Sequence, residues 1–441
     1  MNRLPLTGLP AAFLLAIAVA TTFANVFGNS WHYDDLHSIT GNPHLQSLRE
    51  PLRFLTDPTQ FSRDADKAMF RPMLLTSFAL NYAWSGLDTW SWHMVNLGLH
   101  LTCTLLLWQI LRRLERGAAV AMVGALLFAL HPLNTETVSW ISGQMSLFSS
   151  LCTLVTLYLL STARRLAALI PVFILGLGFY ENFLLALLLW GAICWFDDRF
   201  RSAFRPASLW SLGCCSVAYL YWRFEALDLG GGYHQATLSL KTGLVNIAYY
   251  LYLLAGGSAI GGRIIRYRPE EIGSHFFDVF TPLLILNTLL LLACLYQLLQ
   301  NRVQPNLNSL LPALWLALAL LPAVLLPERP RRLSYLAVPG FALAMGQILC
   351  YLKEKTRPGP LVARTGIAIY VLFYASTLHL RNYDWNTTGA LERSIPQVAV
   401  ADCRELIFDV PNLVGDALFF NSISTARNRR VLEVAPHVSS I

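Results

Sequence analysis

Residues 7–43 read TGLPAAFLLAIAVATTFANVFGNSWHYDDLHSITGNP. The run from 7 to 27 is apolar and about 20 residues long, enough for a helix to cross a bilayer core of roughly 30 Å. It is long for the core of a signal peptide, and no small-residue cleavage site precedes Trp31. It reads as a retained first span. Two adjacent carboxylates, Asp34 and Asp35, follow it at once. Charge beside the hydrocarbon boundary is costly and tends to be kept for use, so these two acids are the first candidates for chemistry.

The rest of the chain repeats that apolar pattern. Of 441 residues, 55% are hydrophobic and 13% charged, with a mean hydropathy of +0.47. Soluble domains carry about 25% charged residues. The expectation is an all-α polytopic membrane protein, with spans at 7–27, 89–111, 118–133, 137–161, 166–179, 182–196, 207–223, 276–299, 309–327, 334–352 and 361–380. The stretch 243–260 is ambiguous between a span and an interfacial or re-entrant segment. Leaving it uncounted gives about 11 spans and turns the basic clusters Arg112–Arg113–Arg116, Arg164–Arg165, Arg199–Arg201–Arg205 and Lys353–Lys355–Arg357 to the cytoplasm. The N-terminus is then inside and the C-terminus outside.

The net charge of +7 is spread over those clusters, which argues topology and against nucleic acid. Seven of eight cysteines lie in apolar runs, the exception being Cys403, and no metal-binding spacing occurs. On this topology 28–88, 224–275 and 381–441 lie outside. Within the first, FRPMLLTSFALNYAWSG (70–86) reads as an interfacial helix, with Trp84, Trp90 and Trp92 as an aromatic belt. Residues 1–385 form the expected membrane domain and 386–441 a small outer segment with a strand-like ELIFDV.

Polar groups gather at the expected outer ends of the spans. Asp34 and Asp35 suit a general base whose pKa is raised by burial and like charge, or else a helix N-cap in a solvated loop. His93, Asn96 and His100 share one helix face, either as site residues or as a hydrogen-bonded seam; His100, the deepest, reads as seam. His131, Asn134, Glu136 and Gln144 crowd one short turn, where capping is the plainer alternative. Glu181 opens a helix, where the dipole alone favours an acid. Glu328, Arg329, Arg331 and Arg332 break the positive-inside pattern in a short outer loop. An anionic ligand explains that, since the guanidinium fork matches phosphate; lipid snorkelling is the alternative. Arg263, Arg266 and Arg268 make a second, less specific basic set.

Taken in order, YDDLHSITGNPHL (33–45), FRPMLLTSFALNYAWSGLDTWSWHMVNLGLH (70–100), LFALHPLNTETVSWISGQ (127–144), RRLSYLAVPGFALA (331–344) and RNYDWN (381–386) resemble the motifs of the TMTC family. These are transmembrane and tetratricopeptide-repeat O-mannosyltransferases. The resemblance implies a GT-C fold with a large first outer loop, and an inverting glycosyltransferase that takes its sugar from a polyprenyl-phosphate monosaccharide. It implies Asp34 as base with Asp35 beside it, and Arg331, Arg332 and Tyr335 facing the donor phosphate. His93, His131, Glu136 and Glu181 would shape the site, with any metal left open. The expected partners are membrane lipid, the lipid-linked donor and a protein or glycan acceptor. Three positions depart from the family pattern: Gln144 replaces an arginine, Met145-Ser146 replace Ala-Asp, and Tyr180 replaces a lysine. No tetratricopeptide period is present, which turns the expectation toward a bacterial or archaeal cytoplasmic membrane. A transporter or flippase, and a non-catalytic assembly protein of the same fold, are the competing readings.

Overall fold

The computed structural model describes residues 8–32, 34–46, 52–114, 117–162, 166–196, 206–227, 239–257, 282–300, 310–326, 330–356, 359–398, 406–408 and 431–433. Arg116, Arg164, Arg165, Arg199, Arg201, Arg205, Arg263, Arg266, Arg268, Glu328, Arg329, Arg357 and Cys403 lie outside the described residues, as does most of 386–441 beyond its helix and strands.

A helix stands at every expected span. They are α1 (Gly8–Thr22), α3 (Thr89–Leu114), α4 (Ala118–Ala129), α6 (Gln144–Thr162), α7 (Leu166–Phe179), α8 (Leu185–Phe196), α9 (Pro206–Tyr221), α11 (Pro282–Gln300), α12 (Leu311–Leu325), α13 (Val338–Thr356) and α14 (Pro360–Val398). The interfacial helix is α2 (Pro72–Ser85), the ambiguous stretch holds α10 (Leu240–Leu254), and α5 (Thr135–Ser139) is a short turn. Among the described residues, Gly8–Gly28, Thr89–Leu114, Ile141–Ser161 and Leu361–Asn382 are each long and apolar enough to cross alone. Ala118–Ala129 with Pro132–Ser139, bent by 43°, adds a fifth. Four shorter apolar helices, Ala168–Phe179, Glu181–Trp195, Leu283–Tyr296 and Leu311–Val324, would bring the number to nine, and reaching eleven requires α9 and α13 to cross as well.

The bundle closes around α3, α4, α6 and α13. Where α4 crosses α13, a Cβ on Gly346 would sit 3.1 Å from the Val120 carbonyl, and one on Gly124 3.5 Å from that of Ala342. Small residues let the two backbones meet, as membrane helix pairs require. His100 is the seam residue expected: fully buried, it pairs with the Tyr335 hydroxyl at 2.7 Å and the Ala129 carbonyl at 3.0 Å.

The aromatic belt is only partly as expected. Trp84 and Trp90 are exposed, but Trp92 is buried and donates its indole N–H to the Gly86 carbonyl at 3.1 Å. Its ring serves core packing rather than the interface. The last helix also runs through 385 without a break, to Val398. Beyond it, Leu406–Phe408 and Val431–Glu433 pair as short parallel strands, the first inside the ELIFDV stretch.

Helix α10 fastens the C-terminal end of α12. Pro322 lies within α12, and the closing carbonyls of any helix lack intrahelical donors. The buried Asn246 amide donates to the carbonyls of Ala323 (3.3 Å), Val324 (3.2 Å) and Leu326 (2.7 Å), and the Tyr250 hydroxyl to that of Pro330 (3.0 Å). The chain thereby enters residues 331–334 on a fixed path. Asn246→Ala is expected to cost about 1–3 kcal/mol, the usual penalty of stranding buried carbonyls, read as a lower thermal midpoint in detergent.

Candidate active site

Asp34 and Asp35 begin a helical turn that continues as a π-helix over Leu36–Thr40. Consecutive residues on a turn point about 100° apart, and here the two acids part company. Asp35 is fully buried. Its Oδ1 accepts the Ser142 N–H at 2.9 Å and the Ser142 hydroxyl, while Oδ2 accepts the His32 N–H at 3.0 Å. Asp34 stays partly open, its side chain 26% exposed, with Oδ1 3.4 Å from His37 Nε2.

Burial pushes the Asp35 carboxyl up to about 7, against the opposing hydrogen bonds from Ser142 and His32. Like-charge repulsion is not among the causes. Because the folded value lies above the ordinary 3.8, folding favours the protonated form. The associated stability is complete below 3.8 and is lost as pH rises through about 7. The thermal midpoint in detergent is therefore expected to fall as pH rises from 3.8 to about 7 and to level off above that, and Asp35→Asn to flatten that slope.

The partner turn, 139–144, is built as tightly. A Cβ on Gly143 would collide with the Thr137 carbonyl, so only glycine lets the chain fold back and present Ser142 to Asp35. The buried Asn96 amide holds the carbonyls of Val138, Trp140 and Ile141 at 3.3, 3.0 and 3.4 Å. Gln144 donates to Asn96 Oδ1 at 3.1 Å and accepts from Ser77 at 3.1 Å. At this departure from the family pattern, a neutral amide is satisfied where a guanidinium would bring charge into a fully buried position.

Glu136 stands on the same turn and meets the arginine loop. Its carboxylate lies 4.0 Å from Arg331 Nε and 3.6 Å from Arg332 NH1, and accepts the Arg332 backbone N–H at 3.3 Å. The Arg332 guanidinium sits 4.9 Å over the Trp140 ring, a cation–π contact. The Trp140 indole N–H in turn donates to the His32 carbonyl at 3.3 Å. One tryptophan thus joins the acid loop to the arginine loop.

A second cluster adjoins the first. Glu181 lies 3.2 Å from Arg71 and 3.8 Å from Arg223, all three largely buried. Burial alone would raise the Glu181 carboxyl, but Arg71 and Arg223 outweigh it and hold it below the ordinary value. The Arg71 guanidinium also covers the Tyr180 ring at 4.7 Å and donates to Met145 Sδ at 3.1 Å. Tyr180 feels the charges of both Arg71 and Arg332, so the two arginine pairs share one neighbourhood.

Of the residues expected from sequence, Asp35, Glu136, Arg331 and Arg332 are joined through the 135–142 turn, with Glu181 nearby, while Asp34, next to Asp35 in the chain, turns its carboxylate to His37. Three others lie elsewhere. Tyr335 is buried against His100 in the core, and its hydroxyl does not face the arginines. His131 caps its own turn, accepting the Leu133 N–H at 3.2 Å, and its other nitrogen reaches the Leu254 carbonyl at 2.9 Å. His93 is buried with Asn29 and His32 as polar neighbours. All three have the polar, span-end signature of site residues, and the structure buries them away from the arginine loop. Sequence reading missed Arg71, Arg223, Trp140 and Ser142. Among the described residues, no group of three or more His, Cys, Asp or Glu is placed to hold a metal ion.

This geometry, on a bundle with a large structured first outer loop, is that of a GT-C membrane fold. The chain aligns with ArnT from Cupriavidus metallidurans, whose crystal structure holds undecaprenyl phosphate, at a TM-score of 0.54 and 13% identity, over 98% of this chain and 87% of that one. In sequence it is similar to the protein O-mannosyl-transferase tmtc2 of Xenopus laevis, 34% identical over 139 residues, and to TMTC1 of Mus musculus, 32% identical over 174. Those matches cover 31% and 37% of this chain but only 16% and 18% of the relatives' own length. No protein-family model matches the chain.

Proposed function

We propose that this protein is a membrane glycosyltransferase that moves a monosaccharide from a polyprenyl-phosphate carrier to an acceptor hydroxyl on the non-cytoplasmic face. The observation that carries the reading is the tie made by Trp140, whose indole N–H holds the His32 carbonyl, two residues before Asp34, and whose ring faces the Arg332 guanidinium. The names of the similar proteins support it, as does the lipid phosphate bound by ArnT.

In this reading Asp34, the more open acid, takes the acceptor proton as the hydroxyl attacks the sugar carbon, and displacement from the opposite side inverts that carbon. Asp35 does not touch substrate: it locks the acid loop to Ser142. The departing phosphate gains a negative charge, and Arg331 and Arg332 receive it. Glu136 neutralises only part of their charge, which leaves the pair cationic where charge develops. Membrane lipid surrounds the bundle, the acceptor is a protein or glycan, and the setting is a bacterial or archaeal cytoplasmic membrane with the N-terminus inside and C-terminus outside.

Full-length protein in nanodiscs, given radiolabelled polyprenyl-phosphate monosaccharides and a panel of protein and glycan acceptors, is expected to pass label to an acceptor. Donor binding with no turnover of any sugar would favour the non-catalytic reading. Movement of intact donor between leaflets would favour a flippase.

A further inference from the structure

His37 faces the Asp34 carboxylate, and the mechanism above does not use it. Its Nε2 lies 3.4 Å from Asp34 Oδ1, and its Nδ1 3.0 Å from the Ser62 hydroxyl. The ring is buried between its own turn and the segment at 60–64. The Arg63 N–H donates to the His37 carbonyl at 3.0 Å, and the Asn42 amide ties the carbonyls of Ser38, Gln60 and Phe61 together at 3.2, 3.0 and 3.2 Å. Ring and carboxylate therefore cannot drift apart.

Ser62 is the informative partner. Its oxygen accepts the Asp64 N–H at 3.0 Å, and its single hydrogen can point either to His37 Nδ1 at 3.0 Å or to the His37 carbonyl at 3.4 Å. With the hydrogen on Nδ1, the ring is neutral and accepts. With it turned to the carbonyl, the oxygen is free to accept from an Nδ1–H. Both protonation states of the ring are hydrogen-bonded without any backbone movement.

The geometry points to His37 as a positioning residue that acts through Asp34, orienting Oδ1 and taking over the proton that Asp34 removes from the acceptor. This rests on the glycosyltransferase reading. In the step, the acceptor O–H bond breaks and its hydrogen goes to Asp34. The acceptor oxygen bonds the sugar carbon, and the carbon–oxygen bond to phosphate breaks with its electron pair on the phosphate oxygen. The ring that receives the proton is the neutral Nδ1–H tautomer, with the Ser62 hydrogen turned to the His37 carbonyl and Nε2 unprotonated; the proton moves from Asp34 Oδ1 to Nε2, and the imidazolium releases it to water. The other charges facing the ring are Arg63, which lies 3.4 Å from Asp64, and Asp64 itself, which is also 3.3 Å from Lys67. That acid is shared between two cations, leaving Asp34 as the acid that governs the ring.

Two measurements test this. In 15N-histidine-labelled protein, the resonance lost in His37→Gln identifies His37, and Asp34→Asn is expected to lower its titration midpoint by about 1 pH unit through loss of the neighbouring negative charge. An unmoved midpoint overturns the proposal. In transfer assays His37→Gln, which keeps an N–H toward Asp34 but cannot titrate, is expected to lose about 10²-fold in kcat with donor KM unchanged. The acidic limb of the pH profile should vanish with it, and Ser62→Ala should move that limb. A His37→Gln enzyme with wild-type kcat and pH profile overturns it. If the wild-type protein turns over no donor, the glycosyltransferase reading has failed, and the titration alone decides whether the pair is coupled.

Discussion

Asp34→Asn is expected to abolish transfer, with kcat down by about 10²–10⁴-fold, while yield and thermal midpoint stay at wild-type values. The asymmetry of the acid pair makes this a sharp result. Asp34 is partly open and, among the described residues, its Oδ1 faces His37, for which an amide oxygen is also an acceptor. Asp35→Asn is the contrasting variant. It removes an acceptor oxygen from a fully buried position that serves Ser142 twice and His32 once, so its main cost falls on the fit of the outer loop. If Asp35→Asn alone were inactive and Asp34→Asn fully active, the base would be assigned to the wrong neighbour. Single-turnover measurements with bound donor separate this from weakened binding.

Replacing both Arg331 and Arg332 by Gln is expected to lower kcat/KM for the lipid-linked donor by at least about 100-fold, since charge-assisted bonds to a phosphate are worth about 1.5–3 kcal/mol each. The two residues should not contribute equally. Arg332 is held by Glu136, by its own backbone N–H and by the face of Trp140, whereas Arg331 only approaches Glu136 at 4.0 Å. A guanidinium already oriented loses less freedom on binding, so Arg332→Gln should carry the larger share. Trp140→Phe keeps a ring beneath Arg332 but removes the indole bond to His32. It should raise donor KM less than Arg332→Gln does. An unchanged KM in the double arginine variant would remove the phosphate site.

The positions of the helices were legible because an apolar run of about 20 residues has few alternatives in a chain with so little charge. The acid and arginine loops were legible too, as charges at span ends where lipid makes charge expensive. What could not be read was direction. Nothing in WHYDDLHSI says which aspartate faces inward, and a tyrosine at 335 looks the same whether it meets a phosphate or His100. Arg71 and Arg223 were invisible for another reason: their common partner, Glu181, is far from both in sequence, and only tertiary packing brings them together. The departures from the family pattern prove to be neighbours. Met145 and Tyr180 both touch the Arg71 guanidinium, and Gln144 adjoins Met145 in the chain. Read one at a time they look like separate losses, yet they describe one locally rebuilt wall.

The last helix gives the protein a mechanical property. Over 39 residues, Pro360–Val398, a continuous α-helix behaves as a stiff rod of about 1.5 Å per residue. Near its middle the Asn382 side chain accepts the Ser139 hydroxyl at 2.5 Å, and Arg381 donates to the Gly257 carbonyl at 3.0 Å. Ser139 closes the same turn that carries Glu136 and leads into Trp140 and Ser142. Torque applied along this rod would reach the turn that carries Glu136 through the Ser139–Asn382 bond.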